Sequence, residues 1–103
     1  MSRVVAYVPD LMDRSKVAAL GDVSFVADPA DLAARAAGEG ADVVVVDLTR
    51  PGVLEAVAAV DARVVGFANH TERELMDAAR AAGCDTVLAR SAFFSRLGEL
   101  LGR

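Results

Sequence analysis

The chain has 103 residues, 54% of them hydrophobic and 25% charged, which excludes a disordered segment and supplies one modest core. A net charge of −4 argues against nucleic acid as a direct partner, because a phosphate backbone rewards clustered Lys and Arg. No apolar run approaches the ~20 residues of a membrane helix, the start MSRVVAYVPD reads as a strand rather than a signal peptide, and the single Cys84 fits the reducing cytoplasm.

Arg3–Val8 is nearly all apolar and stops at Pro9, with Asp10 directly after it. Leu11 to Leu20 reads as a helix ended by Gly21, a usual residue past a helix C-terminus. Val23–Ala27 is a short strand with a polar Ser24 inside it. Asp28–Pro29–Ala30–Asp31 starts a second helix, with an N-cap Asp, Pro at the first helical position and an acid in the first turn. That alanine-rich helix should close at Gly38 or Gly40.

The central stretch is Ala41–Arg50, in which four valines run without polar interruption into Asp47 before Pro51–Gly52 breaks the chain. β-Branched side chains favour the extended backbone, and an unbroken apolar run means that both faces of the strand are covered. A carboxylate is costly to bury unpaired, so Asp47 should emerge at the sheet's edge. Val53, Ala56, Val57 and Val60 then fall on one face of a short helix. Arg63–Ala68 is a third apolar strand, and Thr71 with Glu74 matches a capping box for a helix ending at Gly83. Thr86–Ala89 is the last strand, and Phe93, Leu97, Leu100 and Leu101 form the apolar face of a terminal helix weakened by Gly98.

Five strands alternating with five helices predict an α/β fold, one domain over residues 1–103, with a parallel sheet and right-handed crossovers. The three most apolar strands belong inside and the strands with Ser24 and Thr86 at the edges, which the order 2-1-3-4-5 satisfies. The chain's switch point then lies between strands 1 and 3, where ligands of such sheets bind. Asp10 and Asp47 both fall there. Two carboxylates at close range ask for a hard cation such as Mg²⁺, a basic side chain or a raised pKa. Asp28, Thr71 and Ser91 read as helix caps. His70 reads as a solvent-exposed loop residue, with a pH-sensitive or metal-binding neighbour of the acids as the sharper alternative. Ser91 and His70 have no nucleophile-elbow motif around them, and the glycines at 38–40 precede a strand, so neither a triad nor a nucleotide fingerprint is present. Cys84 has no basic neighbour and no CxxC partner, and reads as a turn or core residue.

In length, element order and local motifs the chain resembles the receiver domains of bacterial response regulators, which are flavodoxin-like (βα)5 three-layer sandwiches of two-component signalling. Receivers keep two acids after strand 1, a phosphoacceptor Asp ending strand 3, a Thr or Ser ending strand 4 and a Lys ending strand 5. Here the pair after strand 1 is Pro9–Asp10, so the second acid is kept, and Asp47 stands at the phosphoacceptor position. The resemblance implies Mg²⁺ on Asp10, Asp47 and the backbone carbonyl of Thr49. It also shows departures: Ala68 at the hydroxyl position, Arg90 for the Lys, Ser91 for the following Pro and Val87 at the aromatic position of strand 5. An alanine cannot hydrogen-bond a phosphoryl oxygen, so the relay from phosphate to surface lacks its ends. Arg90 has two readings, a bidentate clamp on Asp47 or a grip on a phosphoryl group.

The resemblance therefore implies a stand-alone, degenerate receiver (a pseudo-receiver) acting through protein–protein contacts of the helix 4, strand 5 and helix 5 face, roughly Thr71–Leu101. Phe93 should face inward. The alternative is a working phosphoacceptor, phosphorylated on Asp47 from a histidine kinase or a small phosphodonor, with Asp10 holding Mg²⁺ and Arg90 in place of Lys. A homodimer remains open as a further assembly. A small metal-dependent hydrolase using the same acids is the third reading, and no residue supplies its general base.

Overall fold

Unbroken burial along the central strands sets the layering. The computed structural model describes residues 3–101. Among these, the strands are β1 (Val4–Tyr7), β2 (Val23–Phe25), β3 (Val43–Asp47), β4 (Arg63–Ala68) and β5 (Thr86–Ala89). Helices α1 (Leu11–Ala18), α2 (Leu32–Glu39), α3 (Val53–Ala58), α4 (Arg73–Ala82), α5 (Arg90–Ser95) and α6 (Leu97–Leu101) follow them in turn, with a 3₁₀ turn at Pro29–Asp31 ahead of α2.

The sheet has the order β2-β1-β3-β4-β5, and every pairing is parallel. This is the doubly wound topology expected from the sequence, with the least apolar strands at the edges. Val44 and Val46 pack with Val5, Leu32, Val53, Val57 and Ala79 on the side covered by α2, α3 and α4. Val43 and Val45 pack with Val4, Val17, Phe67, Phe93 and Leu101 on the side of α1, α5 and α6. The valine run is unbroken because successive side chains enter two different cores.

Beyond β3 the chain is pinned to its neighbour. Leu48 donates its N–H to the Phe67 carbonyl at 2.9 Å, and its buried side chain lies over Gly66. A Cβ on Gly66 would stand 2.9 Å from three Leu48 side-chain carbons, well inside ordinary contact. The absent side chain of Gly66 thus lets Leu48 settle on β4, which fixes the turn that follows Asp47.

Some boundaries differ from expectation. Asp28 accepts from the Ala30 N–H, so it caps the 3₁₀ turn and not α2 directly. Helix α4 starts at Arg73 behind Glu72, and Thr71 makes no capping box. The terminal helix is split into α5 and α6 at Arg96, two residues before the Gly98 expected to weaken it. Phe93 is fully buried, as expected, and stacks on Phe67 with ring centroids 4.7 Å apart.

The first turn of α1 inverts the usual pattern. Leu11 and Met12 are 78% and 72% exposed, whereas Asp13 is 1% exposed. Asp13 lies four residues before the buried Val17, so it occupies a core-facing position of the helix.

Candidate functional site

The register aligns Tyr7 of β1 with Val46 of β3, so Asp10 and Asp47 leave neighbouring strands at the same, carboxyl end of the sheet. Asp10 is the N-cap of α1, with extended backbone angles and Oδ2 accepting from the Asp13 N–H at 3.3 Å. The cap holds the first turn so that Asp13, three residues on, sits on the same face as Asp10. Asp47 is buried at the end of β3. Its Oδ1 accepts from the Thr49 N–H at 3.0 Å and from the Thr49 hydroxyl at 2.6 Å, and its Oδ2 lies 3.5 Å from Arg50 Nε.

Arg90, the first residue of α5, joins these acids from β5's end. Its Nη2 donates to Asp13 Oδ1 and lies 4.0 Å from Asp10 Oδ2. The guanidinium also stands over the rings of Phe67 and Phe94, at 5.6 and 5.4 Å from their centroids. The hydrogen bond to Asp13 raises its pKa above the ordinary arginine value, burial opposes this, and the charges of Asp13, Asp47 and Asp10 add to the rise. One cation therefore answers to three carboxylates.

These positions revise one sequence expectation and supply a residue that it missed. Arg90 forms its ion pair with Asp13 and not with Asp47, whose own neighbouring guanidinium is that of Arg50. Asp13 was overlooked because a charged residue in the first turn of a helix reads as solvated. Its spacing, three from Asp10 and four from Val17, carried the signal. The second oxygen of Asp13 is buried without a hydrogen-bond partner.

A divalent ion needs free carboxylate oxygens. Here Asp10 Oδ2 already accepts a backbone N–H and faces Arg90, while Asp47 carries two bonds from Thr49 and faces Arg50. Among the described residues no three His, Cys, Asp or Glu side chains gather as a metal cluster. As folded, a divalent ion at Asp10 and Asp47 would have to compete with the guanidinium groups of Arg90 and Arg50, and Thr49 engages Asp47 through its amide and hydroxyl.

The remaining sequence candidates make no charged contact in the crevice. Ala68 and Val87 are buried in the core beneath α2, α3 and α4. His70 is exposed, and with Arg73, Met76, Asp77, Arg80 and Ala89 it lines a groove of about 530 Å³ along α4 and β5. Cys84 is buried, and burial, with the charge of Asp85, pushes its thiol up to about 11. No described helix is long and apolar enough to cross a membrane.

A five-stranded parallel sheet in the order β2-β1-β3-β4-β5 with helices on both faces is a flavodoxin-like fold, and solved structures of response-regulator receivers share it. The response regulator from Hahella chejuensis superposes with a TM-score of 0.82 at 16% identity, over 97% of this chain and 92% of its own. The signal receiver domain of NarL from Mycobacterium tuberculosis gives 0.80 at 20% identity, over 96% and 91%. The chemotaxis protein CheY4 of Vibrio cholerae gives 0.77 at 22% identity, over 98% and 99%. At these identities the likeness is one of fold. No family model matches the chain, and no curated protein matches it in sequence.

Proposed function

We propose that the chain is a single receiver-like domain over residues 1–103 that works as a degenerate signalling module, binding a protein partner without a phosphorylation step. The observation that carries this reading is the state of Arg90. The basic residue at the end of β5 is committed to a buried carboxylate of α1, and the residue ending β4 is Ala68, which has no hydroxyl to report a phosphoryl group. The buried Val87 likewise gives β5 no aromatic switch.

The partner surface in this reading is α4, β5 and α5. The groove beside His70 supports it, because it places Arg73 and Arg80 on an otherwise acidic protein. Arg80 is paired with Asp77 at 3.0 Å, so Arg73 gives the groove a basic side chain suited to an acidic segment. The setting that goes with this reading is the cytoplasm, in keeping with the buried free thiol of Cys84.

The second reading, a phosphoacceptor at Asp47 served by a histidine kinase and Mg²⁺, is favoured by the placement of Asp47 beside Asp10 at the switch point. It requires Arg50 and Arg90 to withdraw from the acids they face. Amide shifts of the labelled protein with beryllofluoride and Mg²⁺ separate the two. The degenerate module leaves the amides around residues 47–50 and along α4 in place. A saturable shift there, absent in Asp47→Asn, would establish the phosphoacceptor instead.

A further inference from the structure

A carboxylate that is 1% exposed with one oxygen lacking any hydrogen-bond partner depends on a single neighbour for its charge compensation. For Asp13 that neighbour is Arg90. We propose that the Arg90 guanidinium is the resident cation of the acidic crevice: anchored on Asp13, it supplies the positive charge there and keeps divalent ions out.

Four observations converge on this. Asp13 sits where helix α1 would otherwise bury an apolar side chain beside Val17, while Leu11 and Met12 are left in solvent. A carboxylate at such a position is not accounted for by apolar packing and needs a charged partner. Arg90 reaches Asp13 and Asp10 together, at bonding distance to the first and 4.0 Å from the second. Its flat group rests over Phe67 and Phe94, which fixes its place without neutralising it. Asp47, the remaining acid, has its own compensation from Thr49 and Arg50. A divalent ion entering such a crevice meets one permanent positive charge beside Asp13 and Asp10 and a second, Arg50, beside Asp47. The pair also ties α1 to the junction of β5 and α5, so the crevice and the proposed partner face are joined by a fixed contact.

The inference rests on reading the site as degenerate, yet it can fail separately. The test is a Mn²⁺ titration of the ¹⁵N-labelled full chain, read as paramagnetic broadening of assigned amides. Wild type is expected to show no localised broadening at residues 8–14 and 47–50 at millimolar Mn²⁺. Arg90→Met should gain it, with an apparent affinity at least about tenfold above wild type as a repelling charge is removed. Should Arg90→Met not fold, the Arg90 side-chain signals of wild type decide. Slow rotation of the guanidinium, lost in Asp13→Asn, supports the anchor, and free rotation in wild type overturns it. Localised Mn²⁺ broadening in wild type, or none gained in folded Arg90→Met, also overturns the proposal. A wild-type protein that bound Mn²⁺ but took up no beryllofluoride would sink this inference alone and leave the degenerate module standing.

Discussion

The guanidinium of Arg90 crosses the carboxyl edge of the sheet to the buried carboxylate of Asp13, 77 residues earlier in the chain. It joins the first helix to the point where the last strand turns into α5. The two partners are unequally exposed, with side-chain exposures of 40% for Arg90 and 2% for Asp13, and that asymmetry governs what each substitution does.

Removing the exposed partner strands the buried one. Arg90→Met leaves an uncompensated carboxylate in the core and should cost about 3 kcal/mol, the lower end for a broken buried pair because Arg90 is half in solvent. Asp13→Asn keeps the shape and lets Arg90 turn to water or Asp10, at about 1 kcal/mol. Urea denaturation of both variants checks the order, and an equal cost for the two would contradict it.

The seat of Leu48 on Gly66 gives a second test. Gly66→Ala brings a methyl within 2.9 Å of the Leu48 side chain, an overpacking worth about 1–3 kcal/mol. Because Leu48 is the clashing group, Leu48→Val in the same chain should recover part of the loss. The denaturation midpoints of the single and double variants read this directly.

Exposed apolar residues should behave oppositely. Leu11→Gln and Met12→Gln alter side chains that are 78% and 72% in solvent, so stability should change by no more than about 0.5 kcal/mol. Asp13, one residue further on, should be far less tolerant of a substitution that changes its shape.

The thiol of Cys84 adds a pH dependence. Burial raises it from 9.0 to about 11, with Asp85 contributing. The unfolded chain gives up this proton first, so the contribution is complete below pH 9 and is lost as pH rises towards 11. Thermal melts of wild type and Cys84→Ala across this window should converge as the pH rises. At neutral pH, thiol reagents should label the native protein slowly compared with the unfolded chain.

Much of this architecture was legible from the residues themselves. The uninterrupted valines of β3 and the polar residues of β2 and β5 fixed which strands lie inside, and from that the strand order follows. The carboxyl edge was legible too, since Asp10 and Asp47 follow strands that must be neighbours. Side-chain partnership was not. Arg90 could reach any of several acids, and only the turn of α1 around its Asp10 cap brings Asp13 under it. The split of the last helix at Arg96 was equally hidden, because the apolar spacing of Phe93, Leu97 and Leu100 suits one helix as well as two.

Intact-mass measurement after incubation with acetyl phosphate and Mg²⁺ tests the central claim most directly. A crevice whose basic residue is held by Asp13 and whose β4 ends in Ala68 should return the unmodified mass at all times. A phosphoryl adduct that forms in wild type and is absent in Asp47→Asn would contradict the account.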